Sequence, residues 1–253
     1  MLKTRVIPCL LLREYGLYKT VKFKTPKYVG DPVNAVRIFN DKEVDEILLL
    51  DIDATPDKRE PNFQLIGDIA GECFMPLTYG GGIRSIDQIK RLHRLGVEKI
   101  SLNSAAFLDR RLVAESCDKF GSSSIVAAID TRRTLLGRHE VWIDGGRSNT
   151  KEDPVRYAAE LAKLGVGEIL INSIDRDGTA SGYDIELLKR IAASVDVPII
   201  ACGGAGSIED MRRVVLEAGV SAVAAGSMFV FHGKHRAVLI SYPSQEELTK
   251  FLP

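Results

Sequence analysis

Five aspartates follow short apolar runs, at the points where the strands of an α/β protein would end: Asp51, Asp53, Asp130, Asp175 and Asp177. Asp130 is the strongest candidate for chemistry, because the apolar run 124–129 delivers a single acid at its carboxyl end. A carboxylate there can act as a general acid or base when its neighbours tune its pKa. Two alternatives stay open: Asp130 caps a loop or pairs with Arg132, and the segment 175–179 forms a turn rather than ligand contacts.

Two glycine-rich turns, at 80–82 and 203–204, each stand between an apolar run and an amphipathic segment. Glycine lets the backbone approach an anion closely, and the free N–H groups that begin the next helix favour phosphate. In each half, the next apolar run ends in small polar residues, at 103–104 and 226–227. This pattern favours two phosphate sites, which suits a ligand with a phosphate at each end or one elongated anion. Tight-turn geometry is the alternative.

Four charged residues stand at the opposite ends of the apolar runs: Arg5, Glu46, Lys99 and Glu168. Two are basic and two acidic, so they could form an ion-pair ring. Such a ring is a poor stabilising device, because desolvation offsets most of the attraction. From the residues alone, ordinary rim salt bridges are the favoured interpretation, and a gate or port is the alternative.

The remaining reactive side chains indicate neither a metal site nor nucleophilic catalysis, and no cofactor is expected. His93 is predicted on a helix surface, and the other histidines in a hairpin or near the C-terminus, at His139, His232 and His235. Trp142 is expected to pack rather than to bind. The cysteines are scattered without zinc or disulfide spacing, which favours reduced, buried thiols and the cytoplasm: Cys9, Cys73, Cys117 and Cys202.

Composition excludes several classes of function. The chain has 253 residues, of which 45% are apolar, and it carries 34 basic and 34 acidic side chains. This balance gives no reason to expect nucleic acid or an anionic membrane as a partner. No apolar run approaches the roughly 20 residues of a membrane span, and the N-terminus lacks the layout of a secretory signal.

Apolar runs alternate with amphipathic segments along the whole chain. Strands are predicted at 5–11, 46–51, 75–78, 99–102, 124–129, 168–172, 198–201 and 222–225. Helices are predicted at 32–40, 63–71, 85–95, 109–120, 153–164, 184–193 and 208–217. The apolar runs do not alternate with polar residues, as expected of strands covered on both faces. One (β/α)₈ barrel domain over residues 1–253 is favoured, with a doubly wound open sheet as the rival.

An internal repeat supports the barrel. The segment that begins at Pro76 is echoed from Pro198, and the one that begins at Glu46 is echoed from Glu168, both at a distance of 122 residues. We therefore predict two half-barrels, about 1–122 and 123–253. An insertion at about 131–149 breaks the rhythm, with a hairpin predicted at 134–143 that turns at Gly137-Arg138 and stands over the catalytic face.

Several motifs closely resemble the HisF family, the cyclase subunit of imidazole glycerol phosphate synthase. The resemblance extends from residue 5 to about 231 through RVIPCL, GDPV, PLTYGGGIRS, KISLNSAA, IVAAIDTRR, GGR, GEILINSIDRDGTASGYD, PIIACGGAGS and AAGSMFVF. It implies a (β/α)₈ barrel whose bottom face binds a HisH-like glutaminase. Ammonia would pass through the barrel to a bisphosphorylated ribulosyl substrate at the top.

The resemblance also assigns roles to individual residues. Asp130 falls on one catalytic aspartate, and Lys19 falls on a loop lysine that helps to close over the substrate. The charged strand starts fall on an ammonia gate: Arg5, Glu46, Lys99 and Glu168. The phosphate-binding positions fall on Gly82, Asn103, Ser104, Asp177, Gly178, Gly203, Gly204, Gly226 and Ser227.

One catalytic position departs from the family pattern. The second catalytic aspartate of the family ends the first strand, and here that residue is Leu11. The loss of one partner of an acid–base pair typically costs about 10²–10⁴-fold in rate. With this departure, the chain resembles the HisF-like proteins that are associated with lipopolysaccharide biosynthesis. Those proteins accompany a HisH-like glutaminase and an N-acetyl sugar amidotransferase, and are thought to supply ammonia that converts an acetamido group to an acetamidino group.

Three hypotheses follow from the sequence. The favoured one is an ammonia-delivering barrel subunit in sugar amidation, with weak or absent cyclase activity. The second is a working cyclase in histidine biosynthesis. The third is a non-catalytic scaffold that activates its glutaminase.

Overall fold

A computed structural model describes residues 3–233 and 235–252. Those residues contain the strands β1 (Arg5–Arg13), β2 (Gly16–Val21), β3 (Lys24–Gly30), β4 (Ile47–Asp51), β5 (Leu77–Gly80), β6 (Lys99–Leu102), β7 (Ile125–Arg133), β8 (His139–Ile143), β9 (Ser148–Asn149), β10 (Glu168–Ser173), β11 (Ile199–Cys202), β12 (Ala222–Ala225), β13 (Phe231–His232) and β14 (Ala237–Val238).

Eight of these strands close into a parallel barrel. Hydrogen bonds join them in the order β1, β4, β5, β6, β7, β10, β11 and β12, and β12 returns to β1. The predicted (β/α)₈ barrel is therefore confirmed, and the open-sheet rival is wrong because no parallel edge remains unpaired among these strands. The predicted run 75–78 lies two residues too early, since the strand is β5.

The helices over the same described residues are α1 (Pro32–Asp41), α2 (Phe63–Gly71), α3 (Ile86–Arg94), α4 (Ser104–Leu108), α5 (Arg110–Phe120), α6 (Pro154–Lys163), α7 (Ile185–Ala192), α8 (Ile208–Ala218), α9 (Ser227–Val230) and α10 (Gln245–Phe251), with a 3₁₀ turn at Ser122–Ser124. Each of the seven predicted helices begins after an Asp, Asn or Ser whose side chain accepts an N–H of the first turn. These caps satisfy donors that the helix itself leaves free. No helix among the described residues is long and apolar enough to cross a membrane.

The sequence predicts that the first strand ends at residue 11, but the strand is longer in the structure. It continues to Arg13 and turns back at Glu14-Tyr15 into β2, which pairs in turn with β3. The second turn, Lys22-Phe23, has two positive φ angles of 54° and 61°, the signature of a two-residue hairpin of this twist. This excursion, β2–β3, lies at the carboxyl end of the barrel and is called the first hairpin below.

The second excursion follows β7. Strand β7 runs on to Arg133 and pairs antiparallel with β8, so the connecting turn spans 134–138. The pairing begins earlier in the chain than the predicted hairpin at 134–143, because Thr131 and its neighbours already face β8. The half-barrel boundary near residue 122 stays a prediction.

The alternation of side chains along each strand decides which residues face the barrel axis. On β1, the inner cluster contains Ile7 and Cys9, while Val6 and Leu10 pack in the outer core beneath the helices. The inner cluster is otherwise Leu48, Val126, Ala128, Leu170, Ile200, Cys202, Ala222 and Ala224, with Leu11 and Leu50 partly buried against it. Because every second side chain of a strand faces the axis, the charged residues that begin the strands lie below this cluster, and the polar residues that end them lie above it.

Candidate functional site at the two ends of the barrel

A cavity at the carboxyl ends of the barrel strands collects the candidate catalytic and phosphate-binding residues. Its lining includes Asp130, Leu11 and Lys19. It also includes every predicted phosphate-binding residue: Gly82, Asn103, Ser104, Asp177, Gly178, Gly203, Gly204, Gly226 and Ser227. Residues far apart in the chain thus share one mouth, where a barrel enzyme carries its chemistry.

Asp130 stands inside this mouth on β7. Burial raises the pKa of its carboxyl group from 3.8 to about 7, and the nearby charge of Asp177 adds to the rise. Asn103 donates a 3.2 Å hydrogen bond from Nδ2 to Oδ2 of Asp130. A carboxyl group that titrates near neutral pH is suited to take up and release protons under cellular conditions.

Asn172 was not singled out from the sequence, although it follows the apolar run of β10. It is 8% exposed and pairs in register with Asp130 on β7. Its Oδ1 has no hydrogen-bond partner among the described residues and belongs to the lining of the mouth. A buried amide oxygen without a donor is costly, so this oxygen is available to an N–H of a ligand. Its signal in the sequence was a polar residue at a strand end.

The wall at Leu11 is apolar. Leu11 is partly buried, and with Leu50 it closes the upper end of the inner cluster. The mouth therefore holds Asp130 without an acidic side chain at the end of β1. Proton transfer at this position would need a different group.

The first hairpin is fastened over the mouth by Asp177. Thr20 donates a 2.8 Å hydrogen bond from Oγ1 to Oδ2 of Asp177, and the backbone N–H of Phe23 donates to the same oxygen at 3.3 Å. The N–H of Lys22 donates to the carbonyl oxygen of Asp177 at 2.9 Å. Burial raises the pKa of the Asp177 carboxyl group. Asp177 therefore holds the hairpin, which is a role the sequence did not indicate.

The two glycine turns retain free backbone donors. In the second turn, the N–H groups of Gly204 and Ala205 have no acceptor among the described residues. In the first turn, the N–H of Ile83 is likewise free, while Gly82 donates to Thr55 at 3.2 Å. Unpaired N–H groups that line a cavity at positive-φ glycines are suited to an anion. The turns also need glycine for packing, since a Cβ on Gly203 would lie 2.7 Å from a carbonyl oxygen.

Three of the five strand-end aspartates serve the structure around the mouth. Asp51 accepts the N–H groups of Asp53 and Ala54, which orders the loop after β4. Asp53 pairs with Arg13 at 2.8 Å, and Asp175 accepts the N–H of Arg133 at 2.7 Å. The candidate acids of the mouth are thereby reduced to Asp130 and Asp177.

The charged strand starts form one ring at the opposite end of the barrel. Arg5 contacts Glu46 at 2.6 Å and Glu168 at 2.7 Å, while Lys99 contacts the same two carboxylates at 2.9 and 3.4 Å. Each cation thus joins both anions. Although burial opposes the charge of Arg5, the Glu168 and Glu46 carboxylates outweigh it and raise the pKa of Arg5. The geometry is a closed ring across the axis rather than separate rim salt bridges.

Of the other singled-out side chains, Cys9 and Cys202 line the mouth, whereas the histidines and Trp142 do not. His139 is buried in β8, where its Nε2 pairs with Asp184 at 2.9 Å, and His93 contacts the Phe120 ring. Trp142 packs under the guanidinium of Arg132, at 4.2 Å. The cysteines are free thiols, of which Cys73 is only partly buried.

The fold and its two ends define a (β/α)₈ barrel protein whose mouth holds the buried acids Asp130 and Asp177 and whose base carries an ionic ring. The sequence profile described as histidine biosynthesis protein matches residues 5–236, so the chain belongs to that family.

Three relatives cover almost the whole chain. A Pseudomonas aeruginosa protein named "Putative imidazole glycerol phosphate synthase subunit hisF2" is 57% identical over 98% of this chain and 99% of its own. A Vibrio vulnificus protein named "Putative imidazole glycerol phosphate synthase subunit hisF3" is 47% identical over 100% and 97%. The Alkaliphilus metalliredigens "Imidazole glycerol phosphate synthase subunit HisF" is 41% identical over 92% of each chain.

Proposed function

We propose that this chain is the ammonia-accepting barrel subunit of a glutamine amidotransferase complex. The observation that carries the proposal is the arrangement along one axis. A closed ionic ring stands at the base, an apolar inner cluster lies above it, and Asp130 stands in the mouth. Ammonia is small and uncharged when unprotonated, so an apolar interior suits its passage. The resemblance to HisF assigns a HisH-like glutaminase to the base.

The proposed product of the complex is an amidated sugar rather than an imidazole. Leu11 leaves Asp130 without a carboxylate partner on β1, while the mouth keeps free N–H donors for phosphate. We infer that ring closure of the ribulosyl substrate is weak or absent, and that ammonia is passed on to an N-acetyl sugar amidotransferase. The relatives named as imidazole glycerol phosphate synthase subunits support the family assembly and do not separate the two products.

Turnover of the ribulosyl substrate with ammonium salt tests this choice. We expect a rate about 10²–10⁴-fold below that of a HisF with both aspartates, because one acid–base partner is missing. Leu11→Asp should recover part of that loss, and Leu11→Asn, which has similar size and no acid, should not. Turnover by the unmodified chain at the rate of an intact HisF would establish a histidine-pathway cyclase instead.

A second experiment distinguishes an ammonia port at the ionic ring from a scaffold that only stimulates the glutaminase. Lys99→Glu reverses one charge of the ring, and Lys90→Glu is the matched change on the exposed face of α3. In a complex with a HisH-like glutaminase and glutamine labelled at the amide nitrogen, we expect Lys99→Glu to reduce label transfer while glutamine hydrolysis remains stimulated. Unchanged transfer in both variants would favour the scaffold. The cytoplasm remains the expected compartment.

A further inference from the structure

Lys19 has an unusual position for a lysine. It is 4% exposed, and its Nζ donates a hydrogen bond to the backbone carbonyl of Cys9 inside the barrel mouth. It forms no salt bridge with a carboxylate among the described residues. A lysine buried without an ion pair is rare, because removal of an ammonium from water is costly.

The amine of Lys19 stands beside Gly226, directly after β12. A Cβ built on Gly226 would lie 2.6 Å from Nζ, so the amine occupies the space above that residue. Gly203, Gly204 and Ser227 line the same cavity as Lys19. The free N–H groups of Gly204 and Ala205 belong to the second glycine turn, which follows the neighbouring strand β11. A ligand whose phosphate bound there would present its neighbouring carbons to Nζ.

Burial also changes the chemistry of this amine. Desolvation lowers the pKa of Lys19, although the charges of Cys9 and Asp177 oppose the change. A lower pKa leaves a larger fraction of the amine neutral at neutral pH, and the neutral amine is the nucleophilic form. Desolvated lysines are the ones that form Schiff bases with carbonyl compounds.

We propose that Lys19 is a covalent nucleophile that forms an imine with the aldehyde or ketone group of a phosphorylated ligand. Its nitrogen bonds to the carbonyl carbon, and the carbonyl electron pair moves to oxygen, which takes a proton and gives a carbinolamine. Loss of that oxygen as water forms the C=N bond, so one amine and one carbonyl give one imine and one water. Asp130 lies in the same cavity and can supply and recover the proton.

The proposal rests on the proposed function for the phosphate site and for the second reactant. Ammonia from the barrel interior that is not passed on to the amidotransferase can add to the imine carbon. The bond to Lys19 then breaks, the ligand leaves as its N–H imine, and the amine of Lys19 is restored. Lys19 would thus activate a carbonyl toward ammonia without any additional reagent.

The competing role is structural, since the bond to Cys9 also fastens the first hairpin to β1. The two roles differ in reactivity. A purely structural lysine would be protected from a carbonyl reagent, whereas the exposed lysines of the same hairpin would react: Lys22, Lys24 and Lys27.

Trapping with borohydride separates the two roles. The intact chain is incubated with pyridoxal 5′-phosphate at pH 7, reduced with sodium borohydride, and mapped by peptide mass spectrometry. Because a lowered pKa leaves more of the amine neutral, and because Lys19 shares the cavity with the second glycine turn, we expect Lys19 to be labelled several-fold faster than Lys24. Pyridoxal, which lacks the phosphate, should label Lys19 more slowly, and inorganic phosphate should protect Lys19 but not Lys24.

Equal labelling of Lys19 and Lys24, or no label on Lys19, would overturn the proposal. Equal rates with pyridoxal and pyridoxal 5′-phosphate would overturn its phosphate-directed form. Lys19→Met should remove the mapped adduct and leave labelling of Lys24 unchanged. The trapping uses neither glutaminase nor ammonia, so a failed ammonia-transfer experiment and a failed trapping experiment are distinguishable results.

Discussion

Thr78 donates a 2.7 Å hydrogen bond from Oγ1 to Oε1 of Glu46, while the other oxygen of that carboxylate contacts both Arg5 and Lys99. Both oxygens of Glu46 are therefore held in a residue only 2% exposed. The neutral hydroxyl fixes the direction of the carboxylate, and the two cations then meet it from the ring.

Removal of the Thr78 hydroxyl should weaken the ring. Thr78→Val keeps the shape of the side chain and leaves a buried carboxylate oxygen without its donor, which costs about 1–3 kcal/mol of unfolding free energy. Thr78→Ser keeps the hydroxyl and is the matched control. Urea unfolding checks the difference, and a loss in Thr78→Val no larger than that in Thr78→Ser would mean that the hydroxyl does not stabilise the ring.

Neutralisation of Glu46 should have a larger effect. Glu46→Gln leaves the nitrogens of Arg5 and Lys99 with one carboxylate fewer, and the breakage of a buried ion pair costs about 3–5 kcal/mol. The control is Glu72→Gln, which breaks the exposed pair with Arg37 at 2.7 Å and should change the unfolding free energy far less, because solvent screens that pair. Comparable unfolding free energies for the two variants would mean that the ring is as weak as a surface pair.

The pKa of Asp130 predicts a pH dependence of stability. The folded state keeps the proton up to about pH 7, whereas the unfolded carboxyl group loses it near 3.8. Between these values the unfolded state binds fewer protons, so Asp130 lowers stability as pH rises through the window. Asp130→Asn removes this term and should be more stable than the parent at pH 8 by on the order of 1–3 kcal/mol, with little difference at pH 4. The control is Asp68→Asn, on the exposed face of α2, which should show no such change between the two pH values. If the stability difference between Asp130→Asn and the parent were the same at pH 4 and pH 8, the raised pKa of Asp130 would be contradicted.

The bond from Thr20 to Asp177 predicts the stability of the first hairpin. Thr20→Val removes one of three hydrogen bonds to Asp177 and should open the hairpin more often, because local opening reflects the bonds that close it. Limited trypsin cleavage after Lys22 or Lys24 should become about 5–10-fold faster, as expected for a loss near 1 kcal/mol. Thr20→Ser keeps the hydroxyl and should cleave at the parental rate. Unchanged cleavage in Thr20→Val would mean that the backbone bonds alone hold the hairpin.

Phe74 is the expected contact for a glutaminase at the base. It is 85% exposed and stands just before β5, at the same end of the barrel as the ionic ring. A buried aromatic side chain at an interface contributes about 2 kcal/mol or more, so Phe74→Ala should weaken binding of a HisH-like glutaminase at least about tenfold. Leu108, 74% exposed after β6 at the opposite end, is the control. If calorimetry showed that both variants bind the glutaminase equally well, Phe74 would not be part of the interface.

The residues of the mouth show which features of a site can be predicted from a sequence. Asp130 could be predicted because an apolar run that ends in a single acid signals a strand with one polar end. Asn172 carries the same signal but was overlooked, since an amide has no obvious chemistry until its neighbours are known. No strand is predicted between residues 11 and 32, where β2 and β3 lie. The polar exposed face of this hairpin gives no apolar period, and its turn has no glycine, only Lys22-Phe23 with positive φ.

The sequence by itself determined the alternation of buried strands and capped helices, because local period and composition indicate both kinds of element, and its internal repeat favoured a closed barrel over an open sheet. The resemblance to the family, which rests on the sequence, predicts an acid at the position of Leu11. Only the tertiary structure decided that four charged strand starts meet in one ring, that Asp177 fastens the first hairpin, and that Lys19 is buried beside Gly226. Those relationships join residues far apart in the chain: 163 positions separate Arg5 from Glu168, and 207 separate Lys19 from Gly226. Their distances depend on the closure of the barrel, which no local pattern encodes.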